Sequence, residues 1–66
     1  MHQEHLSGTK LYEVTWERGG ECVCRFYVRA GSEADAIAEA DGFLIQNPNL
    51  DRRADASVHV RILRET

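Results

Sequence analysis

The sequence predicts a small α+β fold with the order β-β-α-β, in which one helix packs on one face of a three-stranded antiparallel or mixed sheet. Three observations support this prediction. Two segments of alternating apolar and polar residues flank a Gly-Gly pair at 19–20, a capped amphipathic segment follows at 32–46, and a last alternating segment covers 57–65. We expect a single domain over residues 10–66, preceded by a loose polar arm at residues 1–9.

The first two strands are predicted from apolar residues with a period of two, namely Tyr12, Val14 and Trp16, then Cys22, Cys24, Phe26 and Val28. A two-residue loop at Gly19-Gly20 pairs even-numbered with odd-numbered residues and turns the two apolar sets to opposite faces. A three-residue loop pairs even with even and puts both sets on one face. Because a one-residue slip flips every side chain, we expect an odd-numbered loop, here of three residues, with a glycine in the left-handed region and a bulged turn.

The segment after the hairpin has the features of an amphipathic helix. Ser32 is a favoured N-cap residue, and acidic residues in the first turn suit the positive end of the helix dipole. Asn47-Pro48 ends the helix near Gln46. Gly42 suggests a close approach to the sheet. The apolar residues recur at steps of three and four and are Ala36, Ile37, Ala40, Phe43 and Leu44.

The third strand has Val58, Val60 and Ile62 on one face and His59, Arg61 and Leu63 on the other. The simplest topology returns this strand beside the first one by a right-handed crossover. That arrangement places the strand of Trp16 in the centre of the sheet.

Composition and charge exclude several classes of protein. The 66 residues have a net charge of −3, and residues 31–51 carry five acids and no base, which is not the balance of a strongly basic nucleic-acid binder. A chain of this length has a small core.

We expect no contact with a membrane, because the sequence has no apolar run long enough to span one. The polar start lacks the pattern of a secretory signal, so we expect a cytoplasmic protein.

Two surfaces remain once the core is assigned. The outer face of the helix is acidic, with Glu33, Asp35, Glu39 and Asp41. The uncovered face of the sheet combines apolar area with Tyr and Arg, which protein interfaces favour, and it predicts a site for another protein, either a host complex or a second copy of the chain. The residues expected in this partner-binding site are Val23, Arg25, Tyr27, Arg29, His59, Arg61 and Leu63. A nucleic-acid platform on the same face is the less favoured alternative, because the chain is acidic overall.

The spacing of Cys22 and Cys24 raises the question of a metal site. Zinc motifs use Cys-x₂₋₄-Cys on a tight turn, whereas Cys-x-Cys on a strand projects both sulfurs in parallel, and His2 and His5 lie in the predicted arm. We therefore expect two core cysteines, no metal and no cofactor. His59 is expected on the opposite face from the cysteines and the chain has no phosphate-binding glycine loop, so we do not expect an enzyme.

The segments "FYVRAGSEADAIAEA" and "VHVRILRE" give the chain a resemblance to a known group. In architecture the chain resembles small β-β-α-β proteins of phages and prophages, including some anti-CRISPR proteins. The resemblance covers residues 10–66. It implies a non-enzymatic accessory or inhibitor protein that binds a host complex such as a CRISPR effector. It assigns no role to individual residues.

Overall fold

A computed structural model describes residues 9–65 of the chain. It contains strands β1 (Lys10–Arg18), β2 (Glu21–Ala30) and β3 (Ser57–Arg64), the helix α1 (Glu33–Gln46) and a 3₁₀ turn at Pro48–Leu50. The strands form one antiparallel sheet in the order β2-β1-β3, and α1 packs on one face. The predicted α+β fold and the central position of β1 are confirmed. The predicted arm lies outside the described residues except for Thr9.

The hairpin between β1 and β2 closes differently from the prediction. Gly19 and Gly20 have φ angles of 61° and 83°, which a two-residue type I′ turn requires. Arg18 pairs with Glu21, so the expected three-residue loop is wrong. The register shifts after Glu17, and Val23 is the extra residue of a β-bulge. Beyond the bulge, even-numbered residues pair with even-numbered residues as predicted, so the apolar pattern determines the register.

The helix α1 begins and ends where the sequence indicates. The Ser32 hydroxyl accepts a hydrogen bond from the Asp35 N–H at 3.1 Å, which confirms Ser32 as the N-cap. The helix ends at Gln46, and Asn47 caps it. Gly42 does not mark a close approach, because a Cβ atom built on it meets nothing within 4 Å.

The core is small and lies between α1 and the strands β1 and β2. Its buried residues are Tyr12, Val14, Trp16, Ala30, Ala36, Ala40 and Leu44. Phe26 of β2 extends this core through edge-on ring contacts with Trp16 at 6.2 Å and with Phe43 at 5.6 Å. The helix lies mainly over β1 and β2 and touches β3 least. As a result, β3 is the least covered strand of the sheet.

The loop between α1 and β3 is held to the core by Arg53. Its guanidinium lies over the Trp16 ring at 5.4 Å and binds both carboxylate oxygens of Asp51 at 2.7 and 2.8 Å. It also pairs with Asp41 of α1. These contacts join the loop, the helix and β1.

Among residues 9–65, no helix is long and apolar enough to cross a membrane.

Candidate functional site

The face of the sheet away from α1, called the open face below, is built from four rows of side chains across β2, β1 and β3. The pairing of the strands gives the rows Arg29–Leu11–Arg64, Tyr27–Glu13–Arg61, Arg25–Thr15–His59 and Cys22–Glu17–Ser57. The two outer strands thus supply four arginines, while the central strand supplies two acids. The open face is a basic surface on a chain whose net charge is −3.

Glu13 lies at the centre of the open face and organises the residues around it. The Arg61 Nε donates to one carboxylate oxygen at 2.7 Å, and the Arg25 Nε lies 3.4 Å from the other. The Tyr27 hydroxyl donates to the same second oxygen at 3.4 Å. The hydrogen bond from Arg61, together with the charges of Arg61 and Arg25, holds the pKa of Glu13 below its ordinary value. Glu13 is therefore a carboxylate at neutral pH, and it positions one arginine on each side of β1.

A shallow depression of about 320 Å³ follows this network across the sheet. The His59 Nε2 lies 3.8 Å from the Glu17 carboxylate at one end. Tyr27 stands beside the depression with 60% of its surface exposed. The depression is polar and lies on a sheet surface, and it is lined by Glu13, Thr15, Glu17, Arg25, His59, Val60 and Arg61.

The bulge at Val23 overturns the prediction for Cys22 and Val23, whereas Cys24 lies on the helix side as predicted. Cys22 pairs with Glu17 and is exposed on the open face, whereas Cys24 pairs with Trp16 on the helix side. Val23 was expected on the open face, but it packs against the core. The reason is the extra residue, which shifts the alternation of β2 by one position before Cys24. The two thiols are free and lie on opposite faces of the sheet.

A second bulge changes the other end of the open face. Leu11 pairs with Arg64 and Tyr12 pairs with Ile62, so Leu63 is left without a partner in β1. Leu63 is 41% exposed, but it does not occupy the row position that strict alternation predicts. Arg64 takes that position, which could not be predicted from the sequence because strict alternation places Arg64 on the other face. The remaining predicted residues of the open face, Arg25, Tyr27, Arg29, His59 and Arg61, lie there together.

The acidic face of α1 is smaller than predicted. Glu33, Asp35 and Glu39 are exposed along the outside of the helix. Asp41 is partly covered and pairs with Arg53 of the loop, so it stabilises the fold and does not belong to that outer surface.

The described residues bring together neither a thiol and an imidazole nor a set of metal ligands. Cys22 and His59 share the open face, contrary to the prediction, but β1 separates their strands by two strand spacings, roughly 10 Å, which is too far for a thiol–imidazole hydrogen bond. Within residues 9–65, no three His, Cys, Asp or Glu side chains cluster as metal ligands. His2 and His5 lie outside the described residues. What the open face offers chemically is arginines held in place beside an exposed phenol.

No protein-family model, no curated protein and no solved structure matches the chain. These comparisons give no link to phage or anti-CRISPR proteins.

Proposed function

We propose that the chain is a non-enzymatic protein-binding domain that uses its open face to bind an acidic surface of another protein. The observation that carries the proposal is the network around Glu13, which holds Arg25 and Arg61 on either side of β1 with the exposed Tyr27 alongside. Tyrosine and arginine, together with tryptophan, are enriched among the residues that contribute most of the binding energy of protein interfaces. The setting we propose is the cytoplasm, where the free thiols of Cys22 and Cys24 would stay reduced.

The arginines of the open face are preorganised for an anionic partner. Arg25 is bound to a carboxylate that is itself largely covered, so less side-chain entropy is lost when a partner carboxylate arrives. Arg29 and Arg64 extend the positive charge along the row that contains Leu11. Complementary charge of this kind raises the association rate and selects the partner.

The test compares capture of partners by matched variants. The double variant Tyr27→Ala/Arg25→Ala removes the exposed phenol and one arginine from the open face, and we expect it to lose a partner that the wild type captures reproducibly and stoichiometrically. The control variant Glu33→Gln/Glu39→Gln changes two exposed residues on the outside of α1 and should retain that partner. Circular dichroism must show that both variants are folded. Retention of the partner by the first variant, or its loss only from the second, contradicts the proposal.

Nucleic acid is the alternative partner, because four arginines and a tyrosine on an open sheet also suit phosphates and bases. A titration with single-stranded and double-stranded oligonucleotides at two salt concentrations distinguishes the two functions. Binding that weakens steeply with salt and depends on Tyr27 would favour the nucleic-acid function. The protein-binding function predicts no such binding.

The biological role as a phage-encoded inhibitor of a host complex remains part of the proposal. It rests on the resemblance in architecture alone. An inhibitor of a CRISPR effector that used the open face would lose inhibition in the Tyr27→Ala/Arg25→Ala variant, measured as restored cleavage of target DNA.

A further inference from the structure

The strand β3 is apolar on its helix side and yet largely uncovered. Val58 and Ile62 point to the side of the sheet that carries α1, but they are 40% and 42% exposed because the helix lies over β1 and β2. Among residues 9–65, no strand pairs with the outer edge of β3. An unpaired edge beside exposed apolar side chains is a template for another strand.

We propose that two copies of the chain associate by antiparallel pairing of their β3 strands about a two-fold axis at Val60. In this register Val58 of each copy lies opposite Ile62 of the second copy, and the two Val60 residues lie opposite each other. The apolar row on the helix side then continues from one copy to the next. The result is a six-stranded sheet with both helices on the same face.

Two-fold symmetry leaves few registers to choose from. Residues directly opposite each other in an antiparallel pair project to the same face of the sheet. The two-fold axis between two identical strands therefore passes at a residue, which lies opposite its own copy, and not between two residues. Centring on Arg61 would set two arginines opposite each other, which is unfavourable. Centring on His59 would leave Ile62 outside the paired segment. The register centred on Val60 covers both Val58 and Ile62.

The backbone and the charges of β3 are compatible with this pairing. The segment from Ser57 to Ile62 pairs regularly with β1, and the bulge comes only at Leu63. On the open face, His59 lies opposite the second copy's Arg61. That contact places a histidine instead of a second arginine opposite Arg61, and Glu13 offsets part of the Arg61 charge through a 2.7 Å hydrogen bond.

A second copy is the occupant that these observations favour. The sequence of β3 is complementary to itself in the register described, whereas an unrelated partner would have no reason to match Val58, Val60 and Ile62 in this order. A chain of 66 residues buries a smaller share of its surface than a larger domain does, and dimerisation is a common way to extend such a core. The proposal does not rest on the protein-binding function above, because edge pairing leaves the open face of both copies accessible.

The experiment uses pairs of charges placed opposite each other across the axis. Val58→Lys/Ile62→Lys sets lysine opposite lysine twice, and Val58→Lys/Ile62→Glu sets lysine opposite glutamate twice. Both variants replace the same two partly exposed residues. Sedimentation equilibrium over a wide range of protein concentration should show a dimer for the wild type and for Val58→Lys/Ile62→Glu, and loss of the dimer for Val58→Lys/Ile62→Lys.

Ile45→Lys is the matched control, since Ile45 is 65% exposed on α1 and lies outside the proposed interface. This variant should remain a dimer. If the charged β3 variants do not fold, hydrogen exchange of the wild type replaces them, and the β3 amides should become more protected as protein concentration rises. A wild type that is monomeric throughout, a dimer that persists in Val58→Lys/Ile62→Lys, or β3 exchange that is independent of concentration overturns the proposal. Binding of a different protein along β3 by a monomeric chain overturns it as well.

Discussion

Deletion of Val23 is expected to leave the fold intact, although it removes a residue from within a strand. The two-residue turn at Gly19-Gly20 already pairs Arg18 with Glu21 and Glu17 with Cys22. Without Val23 the chain continues directly to Cys24, which still falls opposite Trp16. The bulge disappears, and β2 becomes a regular strand with the same residues facing the helix.

The loss in the free energy of unfolding distinguishes this expectation from the alternative, in which β2 turns its other face to the helix. Val23 is half-buried, so its deletion should cost about 1 kcal/mol, roughly half the value for a fully buried valine. If the bulge did not absorb the change, Cys24, Phe26 and Val28 would turn to the open face. These side chains are partly buried like Val23, so losing the burial of all three would cost about 3 kcal/mol, roughly three times the cost of losing Val23 alone.

Urea denaturation followed by the fluorescence of Trp16 measures the change in the free energy of unfolding. NMR contacts between the rings of Phe26 and Phe43 report which face β2 presents to the helix. Deletion of Thr15 is the control, because it puts Val14 next to Trp16 in the central strand, and no register then buries both. We expect that variant to be unfolded. A Val23 deletion that unfolds the protein, or that separates Phe26 from Phe43, would refute the reasoning.

Three further predictions concern the helix, the loop and the thiols. Gly42→Ala should stabilise the protein by about 1 kcal/mol in urea denaturation, because the position is helical and open. The hydrogen bonds from Arg53 lower the pKa of Asp51 from its ordinary value of 3.8 to about 2. The stability that this pair contributes is therefore complete above about pH 4 and is lost as the pH falls towards 2, so Asp51→Asn should flatten the dependence of the urea midpoint on pH in that range. A thiol reagent should modify the exposed Cys22 faster than the partly covered Cys24, and Cys22→Ala should remove the fast phase.

Each of these predictions has a matched control. Gly20→Ala should destabilise the protein, since Gly20 has a φ of 83° that alanine adopts only with strain. Asp55→Asn changes an exposed aspartate of the same loop and should leave the acid dependence unaltered. Cys24→Ala should retain the fast phase of the thiol reaction. A stabilising Gly20→Ala, a flattened profile in Asp55→Asn or equal rates for the two thiols would contradict the respective argument.

The sequence is sufficient to predict the elements and their order, because they depend on local patterns. The alternation around Trp16 predicts the first strand. Ser32 and Asn47-Pro48 predict the start and the end of the helix. The bulges at Val23 and Leu63 are different. The one at Val23 reconciles the two-residue turn with the burial of Phe26 and Val28, whereas the one at Leu63 lies near the end of β3, away from any hairpin turn. The alternation of apolar and polar residues in a strand does not indicate at which residue a bulge forms. For that reason Cys22 and Val23 were predicted on the wrong face, and Leu63 rather than Arg64 was predicted in the site.

These two bulges also change the character of the open face. Strict alternation would give it Val23 and Leu63 and make it an apolar surface with some arginines. The bulge at Val23 moves that valine to the core side and brings Cys22 to the open face, and the bulge at Leu63 brings Arg64 opposite Leu11. The open face thereby loses apolar area and gains a fourth arginine. An apolar surface would bind its partner independently of salt, whereas this one should bind an acidic partner with an association rate that falls as ionic strength rises. The two bulges therefore strengthen the basic character that Arg25, Arg29 and Arg61 already give the open face.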